Sequence, residues 1–217
     1  MLRIETLPAS LRELLEVFRP CLTAPTFRTF SVLLAGLIAA PARRTVCGML
    51  VAAGLAGVWH HSRAHGLFAR ARWCPEQLGR ALLGLIVDRL VPADAPILVA
   101  IDDTLFRRTG RKVHATAWCH DGAATGLTPC TKLRWGNCWV VAGIIVELPC
   151  LSRPVCLPVL ARLWHKGGPS KPALGGQLAQ TLATALPHRQ VHVVADSHYS
   201  TDRKSTRLNS SHPYRSR

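Results

Sequence analysis

The residues best able to do chemistry are aspartates that follow two widely separated apolar runs. Asp102-Asp103 comes directly after Ile97-Leu98-Val99-Ala100-Ile101, and Asp196 directly after Val191-His192-Val193-Val194-Ala195. If both runs are strands of one parallel or mixed sheet, their carboxylates gather where the strands end, which is where ligands of such sheets collect. Carboxylates brought together repel one another unless a cation bridges them, and hard ions such as Mg2+ take oxygen ligands. Two such ions about 3.5–4 Å apart can activate the attacking oxygen and stabilise the leaving one in phosphodiester chemistry. Successive side chains on a strand point to opposite faces, so Asp102 and Asp103 cannot line the same site without a bulge or bend. A strand-terminal aspartate can equally cap a turn. The pairing of two such motifs, more than either residue singly, carries the reading.

The elements that must position these carboxylates can be read on either side of them. Pro96 precedes the first run, whose continuous apolar character predicts a strand buried on both faces and ending at the aspartates. Arg108-Thr109-Gly110-Arg111 predicts a turn, and 113–118 alternates as a half-buried strand should. A long loop rich in Gly, Thr and Cys runs up to Trp135-Gly136-Asn137, and a third strand is predicted over 139–146. Ser170-Lys171-Pro172 opens a helix with Leu174, Leu178, Leu182 and Leu186 on one face, stopped by Pro187 and weakened near its start by Gly175 and Gly176. The order strand, strand, strand, helix, strand predicts an α/β fold with a mixed sheet and helices packed against it.

Ahead of this region the pattern is helical. Leu7, Leu11, Leu14, Leu15 and Phe18 fall at helical spacing between Ser10 and Pro20. Further helices are predicted over 25–40, 45–58, 60–71 and 75–90, with Pro75 tolerated in a first turn. No acidic residue occurs between Glu16 and Glu76, whereas Arg19, Arg28, Arg43, Arg44, Arg63, Arg70 and Arg72 do. The 217-residue chain carries 27 Lys+Arg against 12 Asp+Glu, a formal charge of +15. Such a surface favours a polyanion, and double-stranded DNA is the partner it suggests; a solvated basic helix face is the plainer alternative.

Other classes are disfavoured. The apolar fraction of 48% is too high for a largely disordered chain. The apolar stretches 32–40 and 46–58 are separated by Pro41, Arg43 and Arg44, and neither reaches the roughly 20 residues of a membrane span. The start of the chain contains Glu5 and Glu13 and lacks an apolar signal core, so a cytoplasmic location is expected. The eight cysteines form no CxxC pair, which suggests reduced thiols. Cys119, Cys130 and Cys138 match no zinc knuckle or ribbon spacing. Residues 202–217 are polar, with five basic residues and one acid, and the string DRKSTRLNSSH resembles a translated adapter. They are therefore set apart as a non-native tail that is expected to be unstructured.

Taken together, Ile101-Asp102-Asp103-Thr104 and Val193-Val194-Ala195-Asp196-Ser197-His198-Tyr199 resemble the first two catalytic motifs of DDE transposases. The similarity is to the insertion-sequence group in which a helical region precedes an RNase H-like domain. Lys132-Leu133-Arg134-Trp135-Gly136-Asn137-Cys138 resembles that group's approach to its third strand, and His60-His61-Ser62 through Phe68 and Trp73 resemble its helical region. The resemblance spans most of residues 25–200. It implies a helical, DNA-binding region over 1–92 and a partial, RNase H-like catalytic domain over 93–201. It further implies Asp103 and Asp196 as catalytic metal ligands for Mg2+ or Mn2+, with Asp102 as the neighbouring alternative. Arg43, Arg44, Arg63, Arg107, Arg108, Arg111, Lys112, Lys132 and Arg134 are the residues expected to hold phosphates of transposon-end and target DNA. The implied full-length enzyme is a nucleoid-associated DNA transposase that can work as a homo-oligomer. The family's third carboxylate, a glutamate on a later helix, has no counterpart, because no Glu follows Glu147. The chain as written is therefore expected to be a truncated, inactive fragment. A non-catalytic DNA-binding fragment and another metal-dependent nuclease of the same fold remain the alternatives.

Overall fold

The computed structural model describes residues 7–40, 45–110, 112–122, 124, 132–197 and 199. Two compact units divide between residues 85 and 86. The first is helical: α1 (Ala9–Glu16), a single 3-10 turn at Arg19–Cys21, α2 (Ala24–Ala39), α3 (Val46–Ala52), α4 (His61–Ala69) and the start of α5 (Pro75–Leu90), which crosses the boundary.

Local chemistry sets these helix limits. Pro25 occupies the first turn of α2, where its missing N–H has no helical partner to lose. Thr45 caps α3 by accepting from Gly48 N at 3.1 Å. That helix ends at Ala52 and not at residue 58 as its apolar run suggested, because Gly54 turns the chain with φ +67°. Two small cores result. Leu15, Phe27 and Ala35 pack with Leu7, while Val32, Leu33, Leu50, Leu55, Ala64 and Leu67 pack around Trp59 and Trp73.

The second unit is a mixed, open sheet. Its strands are β1 (Ile97–Arg107), β2 (Ala117–His120), β3 (Leu133–Val146), β4 (Val155–Trp164) and β5 (Val191–Ala195), with α6 (Lys171–Ala185) between β4 and β5. β3 is antiparallel to β1 on one side and to β2 and β4 on the other. β5 lies parallel to β1 at the opposite edge. β4 therefore runs in the same direction as β5, and α6 is the crossover between them. An all-helical region followed by this mixed sheet is the RNase H-like arrangement.

Four expectations are corrected here. β1 does not stop at the aspartates but continues to Arg107, paired with Gly136 of β3. It is not buried on both faces either: Ile97, Val99 and Ile101 are buried, while Leu98 is exposed. The strand expected over 113–118 begins only at Ala117, because Ala115 takes a positive φ of 54° in the preceding turn. Finally, a whole strand, β4, lies between the expected third strand and the helix.

α6 packs on β1, β3 and β4 through Leu174, Leu178 and Leu182. Leu178→Ala is expected to cost about 2–5 kcal/mol of stability. Val194, exposed on the edge strand β5, should cost about 1 kcal/mol or less when changed to Ala. Urea unfolding followed by tryptophan fluorescence reads both, and equal losses would contradict the packing of α6 on the sheet.

Candidate active site

The site begins with an inequality of strand lengths. β5 pairs with β1 only from Ile97↔Val191 to Ile101↔Ala195. Past that point β1 runs on alone along this edge, and Asp102-Asp103 on β1 and Asp196 after β5 stand where the parallel pairing ends. The sequence-derived idea of carboxylates at two adjacent strand ends thus holds for β5, while on β1 they sit in mid-strand.

Strand alternation decides which aspartate faces α6. Ile97, Val99 and Ile101 bury on the side that α6 covers, so Asp103 follows them there and Asp102 points the other way. Asp102 is exposed, and its Oδ1 accepts from its neighbour's backbone, Asp103 N, at 2.7 Å. Asp103 is enclosed by three donors. Lys171 Nζ, at the first position of α6, donates to Oδ2 at 2.5 Å, with the two side chains only 19% and 22% exposed. Cys138 Sγ of β3 donates to the same oxygen at 3.2 Å. Tyr199 Oη donates to Oδ1 at 3.3 Å.

Tyr199 also ties the second motif to the first. Its backbone N donates to the carbonyl of Asp196 at 2.9 Å, closing a short turn after β5. The Asp196 carboxylate accepts from Ser197 N at 2.5 Å and from Ser197 Oγ at 3.1 Å. The Tyr199 ring fits because residue 175 is glycine. A Cβ there would lie 3.0 Å from the ring and 3.3 Å from Ile101 Cγ2. The glycine that weakens α6 by propensity is the one that admits the tyrosine.

Electrostatics follow from this enclosure. Burial alone would push the Asp103 carboxyl upward, but hydrogen bonds from Lys171, Cys138 and Tyr199 and the ammonium charge together hold it below the usual carboxylate value. Burial alone would lower the Lys171 ammonium, but its hydrogen bonds and charge interactions with Asp103 and Cys138 together hold it above its ordinary value. Burial, then the bond to Asp103, pushes the Cys138 thiol up to about 12. Burial first, then the negative charge of Asp103 and the bond to it, raise the Tyr199 phenol. Both groups therefore stay protonated donors near neutrality.

Several of the expected phosphate-binding residues are engaged within the protein. Arg107 donates to Asp121 Oδ2 from Nη2 at 2.6 Å and from Nε at 3.1 Å; the aspartate side chain is only 9% exposed. Arg108 Nε donates to Asn137 Oδ1 at 2.9 Å, and Asn137 Nδ2 donates in turn to the His114 carbonyl at 2.8 Å. Arg134 Nη1 donates to the Leu133 carbonyl at 3.0 Å, and the Lys132 carbonyl accepts from Asp121 N at 2.7 Å. Lys112 is exposed. In the helical unit, the Arg63 guanidinium stacks 3.8 Å from the Trp59 ring centroid. Arg43, Arg44 and Arg111 lie outside the described residues, as does the tail from Asp202.

For a divalent ion, Asp103 and Asp196 offer carboxylate oxygens, the donor type that Mg2+ prefers, so the residues fit the group in kind. Among the described residues no three His, Cys, Asp or Glu side chains cluster closely enough to hold a metal. The positive charge that Asp103 requires is supplied by Lys171. Sequence reasoning missed Lys171, Tyr199 and Cys138 as members of the site. One signal was available: a lysine in the first turn of a helix faces the positive end of the helix dipole, which favours a nearby carboxylate.

Comparison with known proteins gives one match. A family model described as DDE superfamily endonuclease matches residues 17–208, and so takes in α2 to α6 and the whole sheet. No curated protein and no solved structure matches the chain. Among the described residues no helix is long and apolar enough to cross a membrane.

The lowered Asp103 carboxyl has a pH signature. Its contribution to stability is full above the unfolded-state value, about 3.9, and is lost as pH falls through the lower folded-state value. In chelator, the difference in unfolding free energy between wild type and Asp103→Asn is expected to be level from about pH 7 to 5 and to shrink below about pH 4. A difference that stayed constant down to the acid limit of folding would show that the carboxylate gains nothing from its surroundings.

Proposed function

The chain belongs to the DDE superfamily of endonucleases, and from that premise we propose that it carries part of the catalytic centre of a DNA transposase. The reading is of an enzyme that cleaves transposon ends and joins the freed 3′ hydroxyl to target DNA. The observation that supports it best is the placing of Asp103 and Asp196 where β5 stops beside β1, linked through Tyr199.

In this reading Asp103 and Asp196, with Asp102 at the rim, would hold Mg2+ or Mn2+, which when bound supplies Lewis-acid activation of the phosphodiester. The chain's own residues do the positioning. Tyr199 fixes one oxygen of Asp103, Cys138 fixes the other, and Ser197 orients the carboxylate of Asp196. Arg107 and Arg108, braced by Asp121 and Asn137, would present positive charge to the DNA backbone at set positions. The helical unit, with no acid between Glu16 and Glu76, would add duplex affinity without reading sequence. A further carboxylate is still needed, since no Glu follows Glu147. The 217-residue chain is therefore proposed to bind DNA and metal without efficient cleavage.

Two measurements test this. Duplex affinity of the chain should fall steeply with added salt, because bound phosphates release counterions. Mn2+ binding should disappear in Asp103→Asn and in Asp196→Asn. Duplex binding indifferent to salt, or metal binding that survives both substitutions, would sink the proposal. Efficient metal-dependent cutting by this chain alone would refute the insufficiency and point to Glu147, or an acid from a second copy, as the missing ligand.

A further inference from the structure

We propose that Lys171 is the resident counter-ion of Asp103, an internal ammonium that a divalent ion must displace before this carboxylate can hold it. The inference rests on the reading of Asp103 as a metal ligand and concerns a residue outside the aspartate motifs.

The geometry supports it at three points. First, Lys171 Nζ lies 2.5 Å from Asp103 Oδ2, the inward oxygen that also takes the Cys138 thiol. A divalent ion on that oxygen would meet a full positive charge in a half-buried setting where screening by solvent is weak. Second, the lysine is fixed at its root. Ser170 caps α6 by accepting from Ala173 N at 3.2 Å, Pro172 follows in the first turn, and Leu174 and Leu178 anchor the helix to the sheet. The backbone of residue 171 thus cannot drift from the site, while its four-carbon side chain can swing. Third, the lysine stands at the positive end of a fifteen-residue helix, where a cation is disfavoured unless an anion faces it. Asp103 is that anion, and each charge is the local reason for the other.

Lys171 is accordingly a positioning residue. With no metal bound it keeps a half-buried carboxylate neutralised and in place. With metal bound its ammonium is released at the mouth of the site, where an incoming phosphate supplies a new partner.

The test uses Mn2+ alone, titrated into the full chain and followed by the electron paramagnetic resonance of the free ion. Lys171→Met should bind Mn2+ about tenfold or more tightly than wild type, since one unit of positive charge is removed from the site. Lys171→Arg, which keeps the charge, should stay close to wild type. Adding Asp103→Asn to Lys171→Met should abolish the gain. A second measurement needs no variant. Acetylation of Lys171 in wild type, read by peptide mass mapping, should rise when Mg2+ is added, because the displaced amine loses its shield. Equal Mn2+ affinity in wild type and Lys171→Met, or acetylation unchanged by saturating Mg2+, overturns the counter-ion role while leaving Asp103 as a ligand. Absence of Mn2+ binding in both proteins overturns the ligand reading itself, and the counter-ion role with it. If Lys171→Met does not fold, the acetylation measurement decides.

Discussion

A carboxylate pressed beneath a helix must find positive charge and hydrogen-bond donors, or it will not stay ionised there. Much of the second unit is arranged around meeting that demand for Asp103. The register of β1 against β3 puts Cys138 beside it. The crossover from β4 to β5 delivers the first residue of α6 over it, and the turn after β5 brings Tyr199 back to it. Three segments far apart in the chain therefore converge on one side chain. The apolar contacts of Leu174, Leu178 and Leu182 with the sheet hold the helix at the height where the lysine can reach.

This convergence explains why the site is half acidic and half capped. The Asp196 carboxylate is exposed and accepts from the neighbouring Ser197. Asp103 is satisfied on both oxygens. The two aspartates thus stand in different surroundings, Asp196 open to solvent and Asp103 already paired with Lys171. The difference arises from strand alternation and from the early end of β5, not from the residue types.

Much of the architecture was legible in the sequence. The helical spacing of Leu11, Leu14, Leu15 and Phe18, the first-turn prolines and the apolar runs before the aspartates each mark real elements, because they depend on neighbours close in the chain. β4 escaped notice for a local reason. Pro158 interrupts its apolar pattern, and only an edge strand, here beside the irregularity at Ala142/Gly143, accepts such a residue. The partners of Asp103 were hidden for a different reason. Cys138, Lys171 and Tyr199 lie 35, 68 and 96 positions away, and no periodicity links residues so far apart. Gly175 shows the same limit from the other side: helix propensity reads it as a weakness, whereas tertiary packing makes it the space for an aromatic ring.

The unequal lengths of β1 and β5 also bear on solubility. From Asp102 to Arg107, β1 is paired with β3 on one side, and no strand among the described residues pairs with it on the other. An open strand edge is a template on which other chains can add and aggregate. Here the open stretch begins with two acids and ends at Arg107, with Arg108 directly after it. An added strand would have to match that order of charges and could not be simply apolar. The charges at 102–107 thus set the terms on which any further strand could join this edge of the sheet.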